Sequence, residues 1–419
     1  MASLLSIIQR IRTTVYPPQP AKKDDAIRFG LLGASDIAPM AVINPAQSNP
    51  EVVIAAVAAR DEVRARKYAK KYGIPIVHKG YEELVNDPSI TAIYIPLPNG
   101  LHYEWALKSL QKGKHVLLEK PSVSNSTQAS ALFLHPPVPS NITPRPVLLE
   151  AFHVRFHPAF QRFLGLLDSD NIERASVTLN CPKYVFRPDN IRLQSKLAGG
   201  ALMDMGTYGV MALRCVFGKE SVECVDVKPR YVPKGKGHDE GCEEAMEVKW
   251  RWEGGAVGNL DVDLRRGVRG FGGWLGWIPW VSTPCVKVRH REVLLPSSED
   301  EGLEHVLVKT VTLWNMLGPS FWHSIEILNQ HTIQEAGSKK VVKTWMEKEI
   351  VKSYTWKEGD GTKGEEWWTT YRYQLEAFAD RVKGRESVVW LDGDDSVRQM
   401  EMIDGAYGKA GLPVRPGDV

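Results

Sequence analysis

Between residues 26 and 150, short apolar runs alternate with charged segments of helical period. Residues 27–32, 52–59, 91–97 and 116–118 are nearly continuous apolar stretches, the mark of strands covered on both faces. Residues 61–72, 81–85 and 102–111 carry the helical pattern between them. A helix between two such strands brings the chain back to start the next strand in the same direction. The alternation therefore predicts an α/β fold with a doubly wound parallel sheet, whose ligands sit beyond the carboxyl ends of the strands. A segment rich in proline and polar residues, 134–146, predicts a surface loop where this unit ends.

Beyond residue 150 the rhythm changes. Residues 176–180, 243–252, 256–264, 285–295 and 304–313 read as strands with little helix between them, and 369–383 and 395–409 as closing helices. At 419 residues the chain exceeds one ordinary core. The expected organisation is an N-terminal arm and linker (1–25), a dinucleotide-binding domain (26–150) and a second α/β domain on a mostly antiparallel open sheet (151–419). Twelve of the thirteen tryptophans follow residue 249, Trp274, Trp277 and Trp280 in one glycine-rich stretch. They are expected in core and sheet packing, with a subunit interface as the alternative.

A formal charge of +3 and the absence of any basic block interleaved with aromatics argue against a nucleic-acid partner. No apolar run is long enough to span a bilayer, so stable membrane insertion is not expected. Five scattered cysteines with no paired spacing suggest neither a metal site nor a disulfide framework, and fit a reducing, cytoplasmic setting. The first fourteen residues form an amphipathic pattern with Leu4, Leu5, Ile7, Ile8 and Ile11 apolar and Arg10 and Arg12 basic. An arm docked on the protein's own body is the expected reading; a mitochondrial presequence or a membrane-surface helix is the alternative.

Four strand ends carry chemistry. After the first, Gly33-Ala34-Ser35-Asp36-Ile37-Ala38 stands where a dinucleotide fold places the pyrophosphate, with Gly33 in the first glycine position, Ser35 in place of the second glycine and Ala38 in place of the third. After the second, Arg60 suits a 2′-phosphate and so favours NADP over NAD, although Asp61 beside it is able to take a ribose hydroxyl. After the third, Pro98-Asn99-Gly100-Leu101-His102 turns out over the crevice, with Asn99 the expected cap of the next helix and His102 either near the nicotinamide or a helix-start histidine without a role. The fourth ends in Glu119-Lys120-Pro121, which sets a lysine at the mouth of the crevice. Further on, Asp204 and Tyr208 stand four apart, on one face of a helix. A carboxylate and a phenol facing a lysine are the parts of a proton-transfer site, the ammonium being expected to lower the phenol's pKa.

These motifs, together with Glu150-Ala151-Phe152-x-x-Arg155-Phe156-His157-Pro158 and Gly199-Gly200-x-x-x-Asp204-x-Gly206-x-Tyr208, occur in the order seen in the Gfo/Idh/MocA oxidoreductases. The chain resembles most the branch holding dimeric dihydrodiol dehydrogenase, NADP-dependent D-xylose dehydrogenase and glucose-fructose oxidoreductase. The likeness covers residues 26–218 well and the closing helix more loosely. It implies a Rossmann domain, an open-sheet second domain that pairs subunits into a homodimer, and NADP as cofactor with NAD possible. It also implies catalytic roles for Lys120, Tyr208 and Asp204, cofactor contacts from Gly33, Ser35, Asp36, Ile37, Arg60, Pro98, Asn99, His102, Glu119 and Lys120, and substrate contacts from Arg155, His157, Asp204 and Tyr208. No metal is implied. The expected reaction is hydride transfer between nicotinamide and a secondary alcohol or hemiacetal of a sugar, cyclic polyol or dihydrodiol. A tailoring reductase of a bulky secondary metabolite and a non-catalytic NADP sensor of the same fold remain alternatives.

Overall fold

The computed structural model describes residues 4–136, 138–218, 222–267, 284–296, 302–356 and 363–419. Trp274, Trp277 and Trp280 lie outside the described residues. The chain opens with helix α1 (Leu4–Val15) and enters a sheet of six parallel strands: β1 (Ile27–Leu32), β2 (Val52–Ala58), β3 (Ile76–His78), β4 (Ala92–Ile95), β5 (His115–Leu118) and β6 (Leu148–Glu150). Their order is β3-β2-β1-β4-β5-β6, every neighbouring pair parallel. The winding reverses between β1 and β4, which opens a crevice at their carboxyl ends. The connecting helices are α2 (Asn44–Gln47), α3 (Glu62–Tyr72), α4 (Tyr81–Asn86), α5 (His102–Gln111) and α6 (Ser126–Ala129). The short strands β3 and β6 were not predicted; three residues are too few to show a period.

After α7 (Pro158–Leu164) the second sheet begins with β7 (Ile172–Pro182), and α8 (Thr207–Phe217) packs on it. The remaining strands are β8 (Val222–Tyr231), β9 (Glu243–Trp252), β10 (Val257–Arg266), β11 (Cys285–His290), β12 (Val293–Leu295), β13 (Leu303–Trp314), β14 (Ser324–Glu335) and β15 (Val341–Val351). They run β15-β14-β13-β11-β7-β10-β9-β8, with β12 beside β13 and only the β7–β10 pair parallel among the described strands. The single strand predicted over 285–295 is two, β11 and β12. Strands β8, β14 and β15 were not anticipated. Pro229 within β8 reads as a breaker, yet β8 is an edge strand, where a missing N–H is tolerated. Strand β15 is exposed on both faces, so its charges follow no in–out alternation.

The closing helices α9 (Thr370–Val382) and α10 (Gly393–Lys409) carry the chain back toward its first half. Phe378 of α9 meets Phe29 of β1 with ring centroids 5.5 Å apart, both side chains fully buried. Each such burial contributes roughly 1.5–3 kcal/mol. Helix α1 docks on the body through its polar side: Arg10 is buried with its guanidinium 3.8 Å from the Tyr354 ring centroid, and the Thr14 hydroxyl donates to the Trp367 carbonyl at 2.9 Å. Ile8, Ile11 and Val15 face outward instead.

Glu51, just before β2, receives Arg385 from the segment after α9 and the Lys23 ammonium at 2.8 Å. Hydrogen bonding to Arg385 is the largest cause holding its carboxyl down to about 2, and Lys23 adds to it against the opposing effect of burial. A carboxyl with its folded value below its unfolded one stabilises the fold above the unfolded value, and that stability drains away as pH falls to the folded value. Glu51→Gln should therefore weaken the fold at neutral pH, and its deficit against the parent in urea unfolding should narrow between about pH 5 and pH 2. A deficit independent of pH would contradict this account.

Candidate active site

The crevice is built from the four strand ends named by the sequence. At the end of β1, Gly33 has φ +107°, a left-handed conformation that L side chains rarely adopt, and its N–H donates to Ala58 of β2 at 2.7 Å. The turn that follows is braced by its neighbours. The Arg64 guanidinium donates to the Ala34 carbonyl (2.7 Å), the Tyr68 hydroxyl donates to the Ser35 carbonyl (2.8 Å), and the Ser35 hydroxyl accepts from the Ile37 N–H (3.3 Å). Asp36 is exposed and Ala38 fully buried. Arg60 stands exposed beyond β2. The Asp61 carboxylate is occupied as the N-cap of α3, accepting the N–H groups of Val63 (2.9 Å) and Arg64 (3.2 Å). A positive-φ cradle, an exposed arginine and an acid already engaged fit a dinucleotide carrying a 2′-phosphate.

Two expectations about the third strand end are corrected. Asn99 does not cap α5; it donates across the crevice to the Ala198 carbonyl at 2.9 Å, because a 3₁₀ turn (Asn99–Leu101) precedes the helix. His102 is fully buried beneath the crevice rather than open to it. Its two ring nitrogens lie 2.9 Å from the Pro121 carbonyl and 2.7 Å from the Leu97 carbonyl, and burial pushes its pKa down to about 4. A neutral imidazole carries a single N–H, so it donates to one of these two carbonyls and fills the space between the turn after β4 and the turn after β5. Glu119 is likewise buried, accepting from the Tyr94 hydroxyl at 2.7 Å, with its pKa raised by burial. Glu150, pushed up to about 7 by burial, accepts the Ser122 N–H at 2.9 Å and holds the far side of the same turn.

Lys120 emerges from this braced turn, its peptide bond to Pro121 cis, and crosses to the second domain. Its ammonium donates to the Asp204 carbonyl at 2.7 Å and the Asp204 carboxylate at 3.3 Å. Residues Leu202–Gly206 form a π-helical turn ahead of α8, so Asp204 and Tyr208 are not set on one regular α-helical face as predicted. Such turns are frequent at functional sites. The glycines before it are fitted to their place. Gly200 has φ +134°, and a Cβ there would fall 2.2 Å from Glu243 and 2.6 Å from Arg415, a fully buried ion pair.

Tyr208 lies under Lys120, with the ammonium 5.0 Å from its ring centroid. The lysine therefore meets the ring face while its hydrogen bonds go to Asp204, and burial raises the Tyr208 pKa well above the ordinary value. That is opposite to the lowering expected from the sequence. The phenol oxygen meets the His153 ring nitrogen Nε2 at 2.9 Å. His153, Tyr371 and Arg192 were missed. Arg192 reaches Asp204 at 3.4 Å from a half-exposed position, and His153 stacks on Tyr371 with centroids 3.9 Å apart. The only sequence signal for His153 was its place between Phe152 and Arg155 in a quoted motif.

Arg155 and His157 are not brought to the lysine. Arg155 pairs with Asp395, which also binds Arg214 at 2.8 Å, joining the start of α7 to α8 and α10. His157 is fully buried and caps α7, accepting the Ala159 N–H at 3.1 Å. Among the described residues no cluster of His, Cys, Asp or Glu is arranged to hold a metal ion. The brace formed by His102 has a direct test. His102→Leu takes away the one N–H that a neutral imidazole offers these buried carbonyls and should cost about 1–3 kcal/mol in urea unfolding. It should also speed amide hydrogen exchange in residues 120–124, and unchanged protection there would refute the brace.

Comparison with known proteins agrees with the fold. Residues 27–135 match the model of an oxidoreductase family with an NAD-binding Rossmann fold, and residues 172–269 match the GFO/IDH/MocA C-terminal domain. D-xylose 1-dehydrogenase (NADP(+)) 2 of Haloferax volcanii is 41% identical over 194 residues, covering 45% of this chain and 57% of that protein. Trans-1,2-dihydrobenzene-1,2-diol dehydrogenase of Sus scrofa is 28% identical over 295 residues, 67% of this chain and 83% of that one. The chain spans a little over half the length of the first curated relatives it matches, at 57% and 58%. A 3-ketoreductase from Actinomadura kijaniata, solved with NADP and TDP-benzene, shares the fold with a TM-score of 0.66 at 21% identity, covering 92% of this chain and 98% of that one. The chain belongs to the Gfo/Idh/MocA oxidoreductase family.

Proposed function

We propose that the protein is an NADP-dependent dehydrogenase or reductase acting on a secondary alcohol, hemiacetal or ketone of a sugar, cyclic polyol or dihydrodiol. The observation that carries this reading is the meeting of Lys120, Asp204 and Tyr208 at the carboxyl end of β5. Nicotinamide, when bound, supplies the hydride acceptor or donor. Gly33, Ser35, Asp36 and Ile37 would hold the pyrophosphate, Arg60 the 2′-phosphate, and Pro98 and Asn99 the nicotinamide side. Lys120, kept in place by Asp204, orients the substrate oxygen with its ammonium. Tyr208, which burial keeps protonated, delivers its proton to a carbonyl oxygen in reduction and takes it back in oxidation. Asp204 and half-exposed Arg192 bind neighbouring hydroxyl groups of the substrate. A sensor without chemistry has no need of the lysine–carboxylate–phenol cluster.

The same reading places the protein in the cytoplasm, where its free thiols stay reduced. It also makes it a homodimer through its second sheet, because Val341, Val342, Met346 and Ile350 of β15 are each more than half exposed.

Thermal shift with NADP and NAD, followed by turnover assays on sugars, cyclic polyols, dihydrodiols and aromatic ketones, tests the proposal. Lys120→Ala should lose at least about 10²-fold in turnover while its melting temperature still rises with NADP. Arg60→Ala should lose more of the NADP shift than of the NAD shift. A Lys120→Ala enzyme of near-parent activity would overturn the mechanism, and equal losses in Arg60→Ala would overturn the 2′-phosphate assignment.

A further inference from the structure

The phenol of Tyr208 has a second layer behind it. His153 follows β6 in a 3₁₀ turn (His153–Phe156) and is almost fully buried. Its Nε2 lies 2.9 Å from the Tyr208 hydroxyl and its Nδ1 lies 2.7 Å from the Thr370 hydroxyl, at the first residue of α9. The ring is clamped face to face on Tyr371, with an interplanar angle of 26°. Two separate segments of the chain, α8 and the start of α9, thus converge on one imidazole.

Hydrogen-bond accounting sets its tautomer. The Thr370 side chain is buried, and a buried hydroxyl needs an acceptor for its proton. Among the described side chains, His153 Nδ1 is the partner it meets. Nδ1 is then the bare nitrogen, accepting from Thr370, and Nε2 carries the single proton of the neutral ring and donates it to the Tyr208 oxygen. Burial pushes the His153 pKa down to about 3, and the Lys120 charge acts in the same direction, so the ring stays neutral at physiological pH.

Resting on the reading of Tyr208 as the proton carrier, we propose that His153 is a positioning residue that, with its tautomer locked by Thr370, donates its Nε2–H to the Tyr208 oxygen. With that oxygen receiving a donor from behind, the phenol's own O–H is turned away from His153, toward the Tyr371 hydroxyl it bonds to, and a substrate oxygen would take the place of that acceptor. When Tyr208 gives up its proton, the negative charge left on its oxygen meets a fixed N–H in a dry site, where such donors count most. His153 thereby offsets the upward push of burial on the phenol, the task first expected of Lys120.

The test uses the full chain, with two readouts. Nitrogen-15 NMR of histidine-labelled protein should show His153 in the Nε2–H form, and Thr370→Val, which removes the donor to Nδ1, should shift it toward Nδ1–H. In D-xylose oxidation with NADP⁺, His153→Phe keeps the stacking on Tyr371 but should lower kcat about 10- to 100-fold, leave KM within about threefold, and move the ascending limb of the pH profile upward. His153→Gln, which retains an N–H donor, should recover part of the loss. A His153 found as Nδ1–H in the parent, or a His153→Phe enzyme with parental kcat and pH profile, would overturn the proposal. If Tyr208→Phe itself proves fully active, the reading of Tyr208 as proton carrier fails instead, and the NMR result still decides the tautomer.

Discussion

At the crevice the two halves of the protein are joined by the Lys120 ammonium, which bonds the carbonyl and carboxylate of Asp204. Everything around it serves to keep the two ends at that distance. On the lysine side, His102, Glu119 and Glu150 are buried and turned inward, each bonded to the strand ends or turns that shape the exit of β5. On the aspartate side, the π-helical turn is backed by the fully buried Glu243–Arg415 pair, where Arg415 also donates to the Gly199 carbonyl at 2.6 Å. Buried ion pairs of this kind contribute little net stability for their desolvation, and hold geometry at a cost.

The division of labour among the polar residues follows from burial. Residues expected to touch ligands because they lie in the right motifs, namely the buried His102, Glu119 and His157 and the partly buried Arg155, bond to carbonyls, hydroxyls, backbone N–H groups or an ion-pair partner. Arg60 and Arg192, by contrast, are exposed, the first just beyond β2 and the second beside Asp204. A motif identifies a neighbourhood; which side chain turns outward depends on what its neighbours leave unpaired.

The closing helices show why the second half matters to the first. Helix α9 covers β1 through Phe378, and its first residue, Thr370, meets His153 beside the phenol. The N-terminal sheet is thus completed by residues more than 300 positions later. Its anchor at Glu51 and Arg385 is an electrostatic clasp between a strand start and a helix end.

Much was legible along the chain. Apolar runs covered on both faces, alternating with helices, can only close as a parallel sheet, so the first domain and the placing of Gly33, Arg60, Asn99 and Lys120 at strand ends followed from period and punctuation alone. The exposed β15, the proline-bearing edge strand β8 and the π turn at Asp204 were not legible, because none leaves a regular period in its residues. Nor was the direction of the Tyr208 shift. An ammonium nearby in sequence logic lowers a phenol's pKa, but the folded chain sets that ammonium over the ring face, buries the hydroxyl and gives it His153 as partner. Local pattern decides which groups exist at a site; desolvation and the angle of approach, which set their chemistry, depend on segments far apart in sequence and exist only once the chain is packed.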